Sequence, residues 1–450
     1  PEFPPLWLVR TPVVITSLLG AAGTFALGKT LFSRRVGFAA LIIVTVFPFI
    51  LFYDRMALTD QLTGSIAVVM TWWSVIVARH PTKRNATILA IIINLMLAAK
   101  ILSAPLLLIP FLAVGLLGKN PIDLSKPLRD EVKRIWRDYR PAIIRARLII
   151  GILWTTLIVF YQIRRFIDPE IPAMVDGYLY GGITRNIGID TGEELDRSQI
   201  SVNLERVKEI FQYLWNPLLV GLTLVGLASL CWRTWRKTLF LLGGILPLWI
   251  FVIFVAGQLN SRYLSVVGHL CAVLIAAGVF SLSDEITKAV SPKSLKPVAW
   301  LPIGLLALWV IGFGLPFART AFRDPIALEI PRRDRREYFA NYTGYALPDA
   351  LEYVRASQPI SSGYEIPFAE AIVRVCEFLP YHLPPEEHDD VELKCLPTDS
   401  DFPQERYDVL NADLETYGEL YLIVEDYTIA DQPAFDPAKV DGELHHLATY

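Results

Sequence analysis

Ten stretches of this chain are long and apolar enough to cross a lipid bilayer or nearly so, and that pattern constrains the fold more than any other feature. A bilayer core of about 30 Å asks for roughly 20 apolar residues per helix. The stretches run over 8–31, 36–53, 57–78, 86–99, 101–118, 147–163, 214–232, 238–257, 263–283 and 298–318. The fourth and fifth are short and meet at Lys100, which reads as a hairpin that only just crosses. Composition agrees: 53% of the residues are hydrophobic and 19% charged, against about 25% charged in soluble domains. A single soluble domain, a disordered chain and a disulfide scaffold are all excluded.

The formal charge of −3 is the sum of two unlike parts. Residues 1–320 carry an excess of bases and residues 321–450 a larger excess of acids. Basic residues also alternate along the connections. One set holds Lys29, Arg34 and Arg35, then Arg79, Lys83 and Arg84, a dense basic group from Lys119 to Arg147, then Arg233, Arg236 and Lys237, and finally Lys288, Lys293 and Lys296. The short connections on the other side offer Arg55, Lys100 and Arg262. Bases accumulate on the cytoplasmic side of membrane proteins, which places residues 321–450 in the periplasm or extracellular space. The basic, aromatic segment around Lys133, Trp136 and Tyr139 reads as a helix on an anionic inner leaflet. No nucleic-acid partner is expected from it.

Past Pro316 the chain turns polar and acidic. Leu347–Ser357 and Phe368–Leu379 read as short helices, and Val391–Leu396 and Glu419–Asp426 as strands, the second of them central. Alternation of this kind predicts a small α/β domain. The expected architecture is thus an α-helical polytopic membrane protein of about ten transmembrane helices with a small C-terminal extracytoplasmic α/β domain. Its two parts are 1–320 and 321–450. Cys376 and Cys395 both fall in the external part, where a disulfide is chemically permitted, and their pairing is left open. Cys231 and Cys271 read as packing residues. The acidic run Glu386, Glu387, His388, Asp389, Asp390 reads as a solvated loop. No zinc-spaced cysteine and histidine set, phosphate-binding glycine loop or nucleophile elbow occurs, so no metal or cofactor is assigned.

Charged side chains in or beside a span are costly, and each is a functional candidate by default. Here they gather on the outer side. Asp54, Arg55 and Asp60 flank the start of the third span, Lys100 sits at the turn of the short pair, Arg164 and Arg165 end the sixth, and Arg262 with Tyr263 opens the ninth. Arginine offers planar bidentate donors to phosphate oxygens and lysine a point charge. A carboxylate beside them can orient the bases or act on a hydroxyl. Taken singly, Arg55, Lys100 and Arg262 also fit side chains that merely reach from helix ends to the interface.

These residues stand in a recognisable order. The segment from Arg55 to Asp60 (Arg-Met-Ala-Leu-Thr-Asp) resembles the Arg-x-x-x-x-Asp segment of the protein mannosyltransferase and aminoarabinose transferase group of GT-C glycosyltransferases. Ala98-Ala99-Lys100 is similar to the family segment in which a lysine precedes a short return span, and Ser261-Arg262-Tyr263-Leu264 to its late Arg-Tyr motif. The stretch from Arg10 to Arg35 and that from Asp334 to Tyr345 also resemble family regions, so the likeness runs over about residues 8–355.

The resemblance implies an inverting membrane glycosyltransferase that takes sugar from a polyprenyl-phosphate donor on the outer face. The acceptor would be a lipid, a glycan or a protein, with membrane lipids as surroundings. It implies that Lys100 and Arg262, with Tyr263, hold the departing lipid phosphate, while Arg55 and Asp60 shape the space between donor and acceptor. The family's catalytic aspartate lies in the first external loop, yet no aspartate precedes Asp54 here. The expectation is therefore that two spans and that aspartate belong upstream of Pro1. A transporter or flippase of lipid-linked substrates, and a membrane-anchored external binding protein, are the competing classes.

Overall fold

The computed structural model describes residues 6–335 apart from 55, 57, 124, 168–196, 257–258 and 290–292. Beyond 335 it describes 366–371, 391–395, 408–415 apart from 409 and 413, and 421–423. The chain forms two compact units, one of residues 10–331 and one of residues 1–9 with 332–450.

The larger unit is helical. It comprises α1 (Leu6–Leu31), α2 (Arg34–Val46), α3 (Pro48–Asp54), α4 (Thr59–Arg79), α5 (Lys83–Ala99), α6 (Leu108–Leu117) and α7 (Leu128–Ile167). Next in the chain come α8 (Arg197–Ile210), α9 (Pro217–Val255), α10 (Ser261–Ser265), α11 (Gly268–Ala289), α12 (Leu301–Trp309) and α13 (Leu315–Arg323). Among the described residues, six helices are long and apolar enough to span a bilayer, or seven if the bent pair α2–α3 is one span. The protein is an integral membrane protein, and its exposed leucine, isoleucine and phenylalanine side chains (Leu18, Phe111, Ile152 and Phe160 among them) meet lipid rather than water.

Several features differ from the sequence reading. The two spans expected at 214–232 and 238–257 form one helix, α9, that kinks where Thr234 leaves helical geometry (φ −139°, ψ 45°). The basic segment expected to lie on the inner leaflet is helical from Leu128 and runs unbroken into the sixth span, so α7 is 40 residues long. Helix α8 falls in a connection read as loop, and it carries the buried Asn203, whose amide donates to the carbonyls of Ile253 (3.0 Å) and Ala256 (2.9 Å) at the end of α9. These carbonyls are among those that a helix end leaves without intrahelical donors. Asn203→Leu is expected to lower stability by about 1–3 kcal/mol through those orphaned acceptors, read as an earlier midpoint in thermal unfolding of the detergent-solubilised protein.

The break between α2 and α3 sets the course of the chain toward α4. The pair bends by 57° at Phe47, ahead of Pro48, where proline removes a backbone donor and clashes with the preceding turn. Phe47 and Phe49 are fully buried, and their rings pack edge-on against Trp215, with Trp309 also against Phe47. Trp215 ends a π-helical turn (Phe211–Trp215), and its carbonyl accepts from the Trp309 indole at 3.1 Å. This aromatic knot fixes the direction in which α3 delivers Tyr53 and Asp54.

In the smaller unit three strands, β1 (Ile366–Ala371), β2 (Val391–Cys395) and β3 (Tyr421–Ile423), form a parallel sheet in the order β2-β1-β3. Strands were expected at the positions of β2 and β3. The central strand is β1 and not the last one, and residues 368–371, expected to open a helix, are extended. Pro367 is unusual inside a central strand. Here β3 pairs only with residues 369–371 and the β1–β2 register shifts between Ile366 and Ala369, so the proline sits where the ladder is irregular. Parallel neighbours need a crossover, and the one from β2 to β3 contains helical residues within 408–415. The expected helix Leu347–Ser357, the rest of Phe368–Leu379, the acidic run from Glu386 to Asp390, and Cys376 lie outside the described residues.

Candidate active site

Two of the expected residues converge on the carboxylate of a third. Asp60 lies in the first turn of α4 and is 3% exposed. The Lys100 ammonium pairs with Asp60 Oδ1, and Arg262 Nε approaches Asp60 Oδ2 at 3.9 Å. Tyr263 completes the group. Its ring centroid lies 4.5 Å from Lys100 Nζ and 5.1 Å from the Arg262 guanidinium, and its hydroxyl accepts from Arg262 Nη2 at 3.3 Å. Cations over an aromatic face are held electrostatically, so the ring is a platform beneath both bases. Arg55 lies outside the described residues, and Arg164 is exposed at the end of α7.

Local sequence explains each placement. Lys100 ends α5 in an extended conformation (φ −160°, ψ 114°), and its carbonyl accepts from both the amide and the hydroxyl of Ser103. That turn, with Pro105 after it, stops the helix and leaves the lysine side chain free to reach across to α4. Arg262 sits on the single-turn helix α10, which side chains of three neighbouring helices hold. The Tyr53 hydroxyl from α3 contacts Ser261 Oγ, the Gln61 amide from α4 donates to Ser265 Oγ at 2.7 Å, and the Trp249 indole from α9 donates to the Leu264 carbonyl at 3.1 Å. Ser265 in turn donates to the Arg262 carbonyl at 2.7 Å.

Tyr53, Gln61, Trp249 and Ser265 were not singled out from sequence. Gln61 carried a signal all the same: it is a second polar residue next to Asp60 at the head of an apolar helix. The serines and tyrosine give no such mark, because hydroxyls are tolerated throughout membrane helices.

Among the described residues the cluster brings together two cations and one anion, and side chains of both bases keep contact with solvent (17% for Lys100 and 23% for Arg262, against 4% for Asp60). A lysine point charge and a guanidinium, both within about 5 Å of the Tyr263 ring centre, are groups whose chemistry suits an anion. Among the described residues no group of three or more histidine, cysteine, aspartate or glutamate side chains could hold a metal ion.

Comparison with known proteins bears on the first part of the chain and on its fold. Residues 4–127 match the family model of dolichyl-phosphate-mannose-protein mannosyltransferase. The structure of ArnT from Cupriavidus metallidurans bound to undecaprenyl phosphate is similar to this one at a TM-score of 0.50 and 12% identity, over 92% of this chain and 75% of that one. The same protein in its apo state gives a TM-score of 0.47 at 12% identity, over 86% and 74%. An oligosaccharyltransferase from Archaeoglobus fulgidus, tethered to an acceptor peptide, gives 0.41 at 11% identity, over 91% and 56%. No curated protein sequence matches the chain. The chain thus carries a segment of that family model over residues 4–127 and shares the fold of the ArnT structure.

Proposed function

We propose that the protein is a membrane glycosyltransferase that moves a sugar from a polyprenyl-phosphate donor to a lipid, glycan or protein acceptor on the extracytoplasmic face, with inversion. The observation that carries this reading is the convergence of Lys100 and Arg262 on Asp60 over the Tyr263 ring. As the bond between sugar and phosphate breaks, negative charge builds on the departing lipid phosphate. Fixed cations aimed at that charge stabilise it without reorganising. Lys100 and Arg262 fill this role, Asp60 holds their side chains in register, and Tyr263 supports both. Arg55 and Asp60 border the space between donor and acceptor. No residue of this chain is assigned as the catalytic base.

The same reading divides the chain into a membrane domain (1–320) and an external acidic domain (321–450) of α/β type. The parallel sheet and the helical residues within its second crossover support the α/β assignment. The alternation of basic connections supports the external location.

The test uses the full-length protein, radiolabelled polyprenyl-phosphate sugars and an acceptor-containing membrane extract. Label is expected to leave the lipid with release of free lipid phosphate, and Arg262→Ala and Arg55→Ala are each expected to slow this by about tenfold or more at normal membrane expression. Movement of the intact lipid-linked sugar across vesicles without release would instead identify a flippase. Wild-type transfer by both variants would remove these residues from the site.

A further inference from the structure

Beneath the cationic cluster lies a second polar arrangement to which the proposed reaction assigns no part. Helices α1 and α4 pack closely: Gly20 lies against Ser65, and one turn further Gly23 lies against Val68 and Val69. Hydroxyls inside these helices regularly close onto a carbonyl one turn back. Thr24 and Thr30 do so on α1, and Thr63, Thr71 and Ser74 on α4. Ser17 and Ser65 do not, and both hydroxyl oxygens are buried without a hydrogen-bond partner among the described residues.

Three acceptors share that condition. The Thr24 hydroxyl donates its one proton to the Gly20 carbonyl (2.8 Å), so at 3.0 Å it accepts from His269 Nδ1, and the neutral imidazole carries its proton there. His269 Nε2 is then a bare lone pair, buried and without a partner among the described residues. Ser265 gives its proton to the Arg262 carbonyl and so accepts from the Gln61 amide, which leaves Gln61 Oε1 as a second buried, unmatched acceptor. Asp54 Oδ1 is the third. The Ser17 hydroxyl lies beside that carboxylate.

Along α4 Ser65 lies one turn past Gln61, and along α1 Ser17 lies nearly one turn before Gly20. Gly20 faces Ser65 and His269: a Cβ there would lie 2.6 Å from Ser65 Oγ and 2.9 Å from His269 Nε2. Those two atoms are therefore at most 5.5 Å apart, and a water molecule spans such a gap with two hydrogen bonds of about 2.8 Å. Unmatched acceptors at membrane depth each cost several kcal/mol, and what every one of them lacks is a donor.

We propose that this seam between α1, α4 and the start of α11 is a binding site for ordered water, held by Ser65 and His269 and by Ser17, Gln61 and Asp54. The ligand is water because it is the smallest group that can supply the missing donors. This inference is independent of the reaction assigned above.

The experiment is X-ray hydroxyl-radical footprinting of the full chain in lipid nanodiscs, where radicals arise from bound water. His269 is expected to be oxidised about tenfold faster than Met70, which is at least as reactive and equally buried. Ser65→Ala, which deletes only the oxygen, is expected to cut His269 labelling at least about threefold while leaving Met70 unchanged. Protection of His269 equal to that of Met70 in the wild-type protein would overturn the proposal. Labelling of His269 that persists undiminished in Ser65→Ala would overturn it as well.

Discussion

Lys100→Ala is expected to lower sugar transfer by about 100- to 1,000-fold, the loss typical of removing one preorganised donor to a developing anion. The lysine is the closer of the two bases to Asp60, and it stands 4.5 Å above the Tyr263 ring, so no neighbouring base can take its place without moving. Most of the loss should fall on the turnover rate, because the charge it meets is larger in the transition state than in the bound donor. Lys100→Arg keeps the charge but replaces a compact ammonium by a planar fork and should recover only part of the rate. Steady-state kinetics with a defined polyprenyl-phosphate sugar decide the matter. An unchanged turnover number in Lys100→Ala would place the departing phosphate elsewhere.

Asp60→Leu should damage the fold before it damages the chemistry. Removing one partner from a buried ion pair typically costs about 3–5 kcal/mol, because the remaining charge is left without compensation. Here two cations lose the same partner, and their partial access to solvent puts the expected cost toward the lower end of that range. Asp60→Asn keeps the shape and a hydrogen-bond acceptor, so it should retain more stability while releasing Lys100 and Arg262 from register. Unfolding midpoints in detergent, measured for both variants, should rank wild type above Asn above Leu. Equal midpoints for all three would show that Asp60 does not anchor the bases.

The membrane character of the chain and the convergence at Asp60 were legible in the sequence for physical reasons. Lipid penalises charge so strongly that Asp60, Lys100 and Arg262 stand out from an apolar background. Apolar length marks a span whatever its tertiary contacts. Span boundaries were harder to read. Thr234 bends α9 without interrupting it, because a few charged residues between two apolar runs look the same in a kinked helix as in a loop. The neutral groups that hold α10 in place were also hidden: Tyr53, Gln61, Trp249 and Ser265 act through hydrogen bonds whose partners lie far away in the chain. In the C-terminal unit the apolar pattern from Phe368 onward fitted a helix, and Pro367 argued against a central strand. Only the pairing limits of β3 reconcile that proline with its position.

The strand order carries a consequence for how the C-terminal part of the chain is made. Strand β1 emerges from the ribosome first, yet both of its edges are covered by segments synthesised later, β2 at Val391–Cys395 and β3 only at Tyr421–Ile423. Until the last of these arrives, β1 presents a row of unpaired amides and carbonyls to whatever is nearby. A chain cut between Cys395 and Tyr421 would keep that edge bare for its lifetime, and bare edges template intermolecular pairing. Premature stops in this interval are thus more hazardous than their small size suggests, and fusion partners are better joined after Ile423 than within the crossover before it.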